Sequence, residues 1–307
     1  MPHIAYLGPP GTFTEQATRV LTADFQAELV PYETVPRALA ALRSGDVLAA
    51  GVPVENSVEG SVPVTMDSLV SGDPLIAVGE AMVPVQFDVL VRAGTPVEKV
   101  RTIASHPHAI AQVRGWLDRQ LPDAELRVAS STAAAAQAVA AGEHDAAISS
   151  PLAIEQFAGL ERLATGIADT ADAVTRFLLL RRPGALPEPT GADRTSVAAV
   201  INDEVGALTE LLMELSLRGI NLSRIESRPT KDRLGEYRFF LDFDGHVADA
   251  RIGDALMGLR RRCNDVRFLG SYPKADHRPA SVRPSASEQA FQASARWLAD
   301  IRAGGSA

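Results

Sequence analysis

The chain has 307 residues, of which 46% are hydrophobic, 22% charged and 5% aromatic, with a formal net charge of −8. That length allows two domains, and the balance is that of a globular chain rather than a disordered one. The acidity argues against a nucleic-acid partner, which would need Lys and Arg for phosphate contacts, and no apolar run reaches the roughly 18 residues that span a membrane.

The segment Met1-Pro2-His3-Ile4-Ala5-Tyr6-Leu7-Gly8 has no basic region and reads as a first strand rather than a signal peptide. The expected compartment is therefore the cytoplasm. Thr12 then opens a helix, with Glu15 three residues on in capping-box spacing. Short apolar runs alternating with Ala/Leu-rich helical stretches continue to about residue 182, the grammar of an α/β sheet layered with helices.

Two stretches inside this region look alike. One opens at Thr34, runs through an Ala/Leu helix to Gly45 and a small-residue strand, and ends at Pro53; the other opens at Thr132, closes at Gly142 and ends at Pro151. A hydroxyl residue starts each helix and a glycine stops it. The repeat predicts two similar lobes with a cleft between them, a preferred place for a small ligand.

Residues 183–194 hold three prolines and two glycines and read as a linker. After it the grammar changes. A strand over 196–201 precedes a helix with Leu208, Leu211, Leu212 and Leu215 on one face. Residues 220–229 read as a strand and 231–235 as a hairpin turn. Tyr237, Phe239, Leu241 and Phe243 alternate along a half-buried strand, Ile252 to Leu259 repeat the helix pattern, and 266–269 form the last strand. The order βαββαβ predicts a ferredoxin-like sandwich over 195–274. The tail from Ala275 begins with Pro and Ser and reads as flexible, with a short amphipathic helix presenting Phe291, Trp297, Leu298 and Ile301.

The lone cysteine, Cys263, follows Arg260-Arg261-Arg262. Basic neighbours can lower a thiol pKa, whereas a half-buried structural role is the commoner fate of a free cysteine. Of the histidines only His106 and His108 stand close together, without a carboxylate or Cys at ligand spacing, so no metal site is expected. There is no phosphate-binding loop, dinucleotide fingerprint or nucleophile elbow. The polar loops Gly11-Thr12, Glu55-Asn56-Ser57 through Ser61, Ser105-His106, Ser130-Ser131-Thr132, Ser149-Ser150 and Thr175-Arg176 each follow a strand or open a helix, ends that face a common crevice in sheets of this class. Their convergence suits a small polyoxygenated anion. Arg176, beside the apolar run Phe177 to Leu180, needs a partner: a structural carboxylate such as Asp169, or a substrate carboxylate gripped bidentately.

Over roughly residues 3–273 the sequence strongly resembles the prephenate dehydratases. The resemblance is carried by Gly8-Pro9-Pro10-Gly11-Thr12-Phe13-Thr14, Pro53-Val54-Glu55-Asn56-Ser57 with Gly60, Ser105-His106-Pro107, Ser131-Thr132-Ala133 and Thr175-Arg176-Phe177. The C-terminal part is similar to an ACT domain through Gly206-Ala207-Leu208 and Asn221-Leu222-Ser223-Arg224-Ile225-Glu226-Ser227-Arg228-Pro229. The expected fold class is α/β. It comprises a two-lobed catalytic domain of the periplasmic-binding-protein kind over 1–182, the 183–194 linker, the ACT domain and the 275–307 tail.

The resemblance implies that prephenate loses water and CO2 to give phenylpyruvate, without a cofactor, on the route to phenylalanine. It implies Thr175 as the donor to the leaving hydroxyl and Arg176 as the anchor of a substrate carboxylate. Thr12, Glu55, Asn56, Ser57, Ser105, Ser131 and Thr132 would meet substrate, with Phe177 as a dry wall. It also implies feedback by phenylalanine, bound at a subunit interface of a dimer or tetramer by Gly206, Ala207, Leu208, Asn221, Leu222 and Ser223, with Glu226-Ser227-Arg228-Pro229 coupling that site to catalysis. Two positions depart from the family pattern. His108 stands where Gln is common, and Ala173 stands where Asn is common, leaving backbone or water to support Thr175. No chorismate mutase segment precedes Met1, so a monofunctional form is expected. Two other readings fit the same residues: a non-catalytic sensor, which keeps Arg176 but needs no donor at Thr175, and an enzyme preferring arogenate.

Overall fold

The computed structural model describes residues 1–305 apart from Ala171 and residues 232–235. The chain divides into two compact units, one of residues 1–68 with 81–180 and one of residues 69–80 with 181–307. Residues 69–80 thus fall with the C-terminal unit, although the sequence pattern runs the first domain unbroken to 182.

The first unit holds two lobes. In the first lobe β1 (His3–Leu7) pairs in parallel with β2 (Glu28–Tyr32) and with β3 (Ala49–Asn56). Helices α1 (Phe13–Leu21) and α2 (Val35–Ser44) form the crossovers. Thr12 caps α1, its Oγ1 accepting from the Glu15 amide at 3.3 Å. The expected capping box closes one residue early, because the Glu15 carboxylate accepts from Gly11 N at 2.6 Å instead of from Thr12. Thr34 caps α2 and Gly45 ends it in the left-handed conformation. A two-residue strand β4 (Gly60–Ser61) folds back on β3, α3 (Pro63–Val70) follows, and the chain leaves through β5 (Ile76–Pro84).

The second lobe is a separate sheet of β6 (Asp88–Arg92), β7 (Thr102–Ser105), β8 (Glu125–Val128), β9 (Ala146–Ser149) and β10 (Leu160–Ala164), in the order β10-β6-β9-β7-β8. Its helices are α4 (Pro107–Gln112), α5 (Arg114–Gln120), α6 (Thr132–Ala140) and α7 (Ala153–Gln156). Both sheet faces are covered. One packs Leu90, Ala104 and Ala147 under Ala135, Ala136 and Val139 of α6, and the other packs Val89, Ile103 and Ile148 under Val113 and Leu117. A strand buried on both faces reads as a continuous apolar run, as these do. Ser131, not Thr132, caps α6 by accepting from Ala134 N, so the second repeat begins one residue earlier than the pattern predicts. The chain then returns to the first lobe as β11 (Val174–Arg181), which runs antiparallel to β3 and completes the order β5-β11-β3-β1-β2.

In the C-terminal unit β12 (Asp193–Ile201), α8 (Ala207–Ser216), β13 (Leu222–Pro229), β14 (Tyr237–Asp244), α9 (Ala250–Arg262) and β15 (Asp265–Pro273) give the expected βαββαβ sandwich, with strand order β13-β14-β12-β15. β12 begins at Asp193, inside the predicted linker. The Asp193 carboxylate accepts from Thr190 N and Gly191 N, which turns the chain into the strand. The hairpin turn predicted at 231–235 lies, after Lys231, outside the described residues. Leu211, Leu215, Ile252 and Leu259 pack on Val197, Leu241 and Phe243, each buried side chain contributing about 2 kcal/mol.

β14 is not half-buried. From Phe240 to Asp244 every residue is buried, so both faces are covered. The face turned from the helices carries Phe240 and a buried hydrogen-bonded set, in which Ser196 Oγ donates to Asp242 Oδ1 at 2.6 Å and lies 2.7 Å from the Tyr272 hydroxyl. Cys263 ends α9 with its thiol pushed up to about 11 by burial and by the Glu214 carboxylate, which together outweigh the lowering influence of Arg262. The tail forms α10 (Glu288–Arg302), tied to α9 where Ala250 N donates to the Glu288 carboxylate. Trp297, Leu298 and Ile301 are exposed on it.

Gly270 marks the point where β15 meets β5, opposite Ala77. Its φ is +139°, and a Cβ there would lie 2.3 Å from the Ala77 carbonyl oxygen. Neither backbone can move aside without breaking the pairing. Gly270→Ala is expected to lower unfolding stability by ~2–4 kcal/mol, read as a shift in the denaturant midpoint. An unchanged midpoint would show that the two strands separate at no cost.

Candidate active site

A cleft of about 670 Å³ lies between the two lobes of the first unit. Its walls are built from strand ends and helix starts, as the sequence pattern implied. The β3–β11 pairing makes one wall. Thr175 stands opposite Asn56 in the register, and Asn56 Nδ2 donates to Thr175 Oγ1 at 2.8 Å. The orientation of the amide is set by its other end, since Asn56 Oδ1 accepts from Val58 N at 2.8 Å and Glu59 N at 3.0 Å. The Thr175 oxygen is thus an acceptor, and no acceptor among the described residues takes its hydrogen.

The support expected from backbone or water at this point therefore comes from Asn56 across the strand pair. Ala173, where the family often has Asn, is fully buried in the second-lobe core, its carbonyl accepting from Val85 N at 2.7 Å. Ser57 fastens the same wall from its other side, its amide donating to Val174 O at 2.9 Å and its Oγ accepting from Val174 N at 3.0 Å.

Of the ten catalytic and substrate-binding residues expected from the sequence, Thr12, Asn56, Ser131, Thr132 and Thr175 line the cleft. The other five are not part of its lining. Ser57 is engaged as above. Ser105 is wholly buried and donates to the Ile148 carbonyl at 2.7 Å. Phe177 is 1% exposed and packs with Ala17, Ala81 and Val83 in the core. The apolar wall is made instead by Val85, Phe87 and Phe13, with Phe13 and Phe87 edge to face at 5.9 Å.

Arg176 is 4% exposed, and its guanidinium lies 3.8 Å from the Glu55 carboxylate opposite it. Neither residue is part of the cleft lining. Of the two partners left open for Arg176, this is a carboxylate of the protein, and it is Glu55 rather than Asp169, which accepts from Gly115 N at 2.8 Å.

The cleft also recruits residues that the sequence pattern did not single out. Gln112 sits one helical turn after His108 on α4; its Nε2 faces Glu59 Oε1 at 3.4 Å, and its own Oε1 is buried without a hydrogen-bond partner. His106 caps α4, its Nδ1 accepting from His108 N at 3.3 Å, and the two rings stand perpendicular with centroids 4.9 Å apart. Both line the cleft, as do Glu33 and Glu59. The i, i+4 spacing of His108 and Gln112 on an otherwise Ala-rich helix was the available signal. Among the described residues no group of His, Cys, Asp and Glu is placed to hold a metal ion.

In the C-terminal unit, Gly206 starts α8 in the left-handed conformation, with Ala207 half-buried and Leu208 exposed beyond it. At the far end of α8, Asn221 Nδ2 donates to Asp244 Oδ2 at 2.9 Å and Ser223 Oγ to Asp242 O at 3.0 Å, with half-buried Leu222 between them. Glu226 pairs with both Arg224 and Arg228, its neighbours on the same face of β13, while Ser227 and Pro229 are exposed.

The family model described as "Prephenate dehydratase" matches residues 4–185 and the model described as "ACT domain" matches residues 195–260. A prephenate dehydratase of Amycolatopsis methanolica is 57% identical over 305 residues, 99% of each chain. The crystal structure of a prephenate dehydratase in complex with L-Phe from Arthrobacter aurescens is 46% identical, with a TM-score of 0.92, covering 97% of this chain and 99% of that one. The structure of GqqA, described as a novel type of quorum quenching acylase, is 31% identical with a TM-score of 0.80, covering 90% of this chain and 100% of that one.

Burial, then the neighbouring His108, holds the His106 imidazole below its ordinary value, against a smaller opposing pull from Glu59. In a proton NMR titration of the free protein His106 is expected to titrate below about 6.5. A lowered folded value favours the neutral ring, so its contribution to stability is full above the unfolded pKa and is lost as pH falls through the folded one. A titration at or above 6.5 would contradict the geometry of the pair.

Proposed function

The chain belongs to the prephenate dehydratase family, and on that premise we propose that the cleft binds prephenate and removes its C4 hydroxyl and ring carboxylate, as water and CO2, with Thr175 as the donor to the leaving oxygen. It is a hydro-lyase, and the observation that carries the residue assignment is the Asn56–Thr175 hydrogen bond in the cleft wall.

Hydroxide leaves poorly, so a donor must reach it in the transition state. Thr175 has its hydrogen available for that, while the Asn56 N–H takes up negative charge appearing on Oγ1. A Thr hydroxyl is a very weak acid, so it hydrogen-bonds or relays rather than releasing its proton outright. As the C–O bond breaks, the electron pair of the C–CO2 bond closes the aromatic ring, which supplies the driving force. The wall of Val85, Phe87 and Phe13 supports seating the departing carboxylate away from water, where it ionises at greater cost and leaves more readily. Thr12, Ser131 and Thr132 lie at the starts of α1 and α6, whose free N–H groups suit the pyruvyl oxygens. Arg176 serves by position, its pairing with Glu55 holding the strands on which Thr175 and Asn56 face each other.

The likeness to an acylase raises a different use of Thr175, as a nucleophile. Acyl transfer needs a base to withdraw the hydroxyl proton. Here the hydroxyl receives a hydrogen from an amide, which withdraws nothing, and this supports donation over attack.

The C-terminal domain is proposed to bind phenylalanine, the ligand in the Arthrobacter aurescens relative. Gly206-Ala207-Leu208 and Asn221-Leu222-Ser223 lie at opposite ends of the ten-residue α8, about 15 Å apart at 1.5 Å per residue. One amino acid meets both only if they come from different copies, which supports a homo-oligomer with the effector at the interface and Glu226 to Pro229 carrying its effect. A cytoplasmic location fits a chain in which no helix among the described residues is long and apolar enough to cross a membrane.

Purified protein with prephenate, followed by phenylpyruvate absorbance and repeated with arogenate, tests the activity. Thr175→Ala is expected to lower kcat by about a hundredfold or more, and Thr175→Ser to retain most of it; unchanged kcat in Thr175→Ala removes Thr175 from the mechanism. Phenylalanine should lower turnover, and Leu208→Asp should raise the concentration for half inhibition about tenfold, a loss of ~1.4 kcal/mol. Inhibition that survives this change unaltered moves the effector away from the start of α8.

A further inference from the structure

The cleft is short of fixed positive charge. Its described lining contains no Lys or Arg, and the one buried guanidinium nearby, Arg176, is set against Glu55 outside that lining. Helix starts supply about half a unit of positive charge each. That of α1 is already answered by the Glu15 carboxylate on Gly11 N, whereas those of α3, α4 and α6, which also border the cleft, have no acidic residue in the first turn. Glu33 and Glu59 add negative charge to the walls. A ligand bearing two carboxylates therefore meets only the partial charges of helix starts and two opposing carboxylates. The only lining side chains able to become cationic are His106 and His108.

We propose that the His106–His108 pair is the protonatable cation of this site, taking up a proton from solvent as the dianionic substrate binds, so that affinity falls as pH rises. The inference rests on the prephenate reading above. The geometry suits it. Accepting from His108 N fixes His106 in the tautomer whose Nε2 carries hydrogen, so that nitrogen can donate even when the ring is neutral. His108 is exposed, its ring perpendicular to that of His106. Two imidazolium rings at that distance repel, so the pair holds one added proton, shared as one titrating unit. The charged group facing it is Glu59, which contacts Gln112 on the same helix; Glu33 and the start of α6 line the same cleft. In the free enzyme half-burial disfavours the charged form of His106; an incoming carboxylate within about 6 Å reverses that preference.

Two measurements test this. For the wild type, KM for prephenate should rise roughly tenfold from pH 6.5 to 8.5 at nearly constant kcat, which corresponds to an average uptake of about half a proton over that range. His108→Gln, which keeps a polar side chain but not the charge, should flatten the rise and hold KM near its high-pH value throughout. Calorimetry of prephenate binding to Thr175→Ala at pH 7.5, in buffers of different ionisation heat, should show uptake of about half to one proton, abolished by adding His108→Gln. Normal turnover with a flat KM profile and no proton uptake overturns the role of the pair and leaves the dehydratase reading standing. A KM rise that persists in His108→Gln also overturns it. Absence of turnover with prephenate at any pH overturns both.

Discussion

The antiparallel pairing of β3 with β11 is the interaction on which the site depends. It sets Thr175 against Asn56 and Arg176 against Glu55 in consecutive register, and Ser57 ties both ends of the Val174 peptide group to the same wall. Asn56 is used completely. Its oxygen holds the turn that leads to Glu59, and its nitrogen holds the Thr175 oxygen. A hydroxyl at a strand end is ordinarily free to rotate. Here it is aimed by an amide whose own orientation is set by backbone, so placing the donor requires no further group.

An extra residue in β3, Val54, sits opposite the step from Arg176 to Phe177. Along β11 Thr175 lines the cleft, and Phe177, two residues on, is buried in the core. The same strand thereby serves the chemistry at one end and the packing of α1 at the other.

The periodicities that depend on residue type alone were legible in the sequence. The strand–helix alternation, the repeated helix starts at Thr34 and near Thr132, and the βαββαβ order each arise from local pattern. Thr175 and Asn56 were legible as members of the polar loop set, and the donor role of Thr175 only through the resemblance to the prephenate dehydratases. Orientation was harder to read. Ser105 resembles Ser131 in sequence, yet one is sealed under the Ile148 carbonyl and the other caps a helix at the cleft. Phe177, expected as a dry wall, is buried with Ala17, Ala81 and Val83. β14 was taken as half-buried because its apolar residues alternate with Arg238 and Asp242, yet Asp242 is buried, with Ser196 on β12 donating to it and Arg224 on β13 near its carboxylate. His106 drew notice in the loop set and His108 as a departure from the family pattern, and as metal ligands they find no third group among the described residues.

The second lobe enters after β5 and returns through β11, so it is an insertion into the sheet of the first. Asn56 and Thr175 are 119 residues apart in the chain. During synthesis the first lobe emerges with the edge of β3 unfilled, a row of unpaired backbone groups that any extended segment can occupy. Its proper occupant exists only after the whole second lobe has left the ribosome. Closing so long a loop is entropically slow compared with forming either lobe's local helices. Thr175 thus joins Asn56 only after the second lobe is complete, and a nascent chain halted anywhere before residue 174 carries that lobe without this hydroxyl.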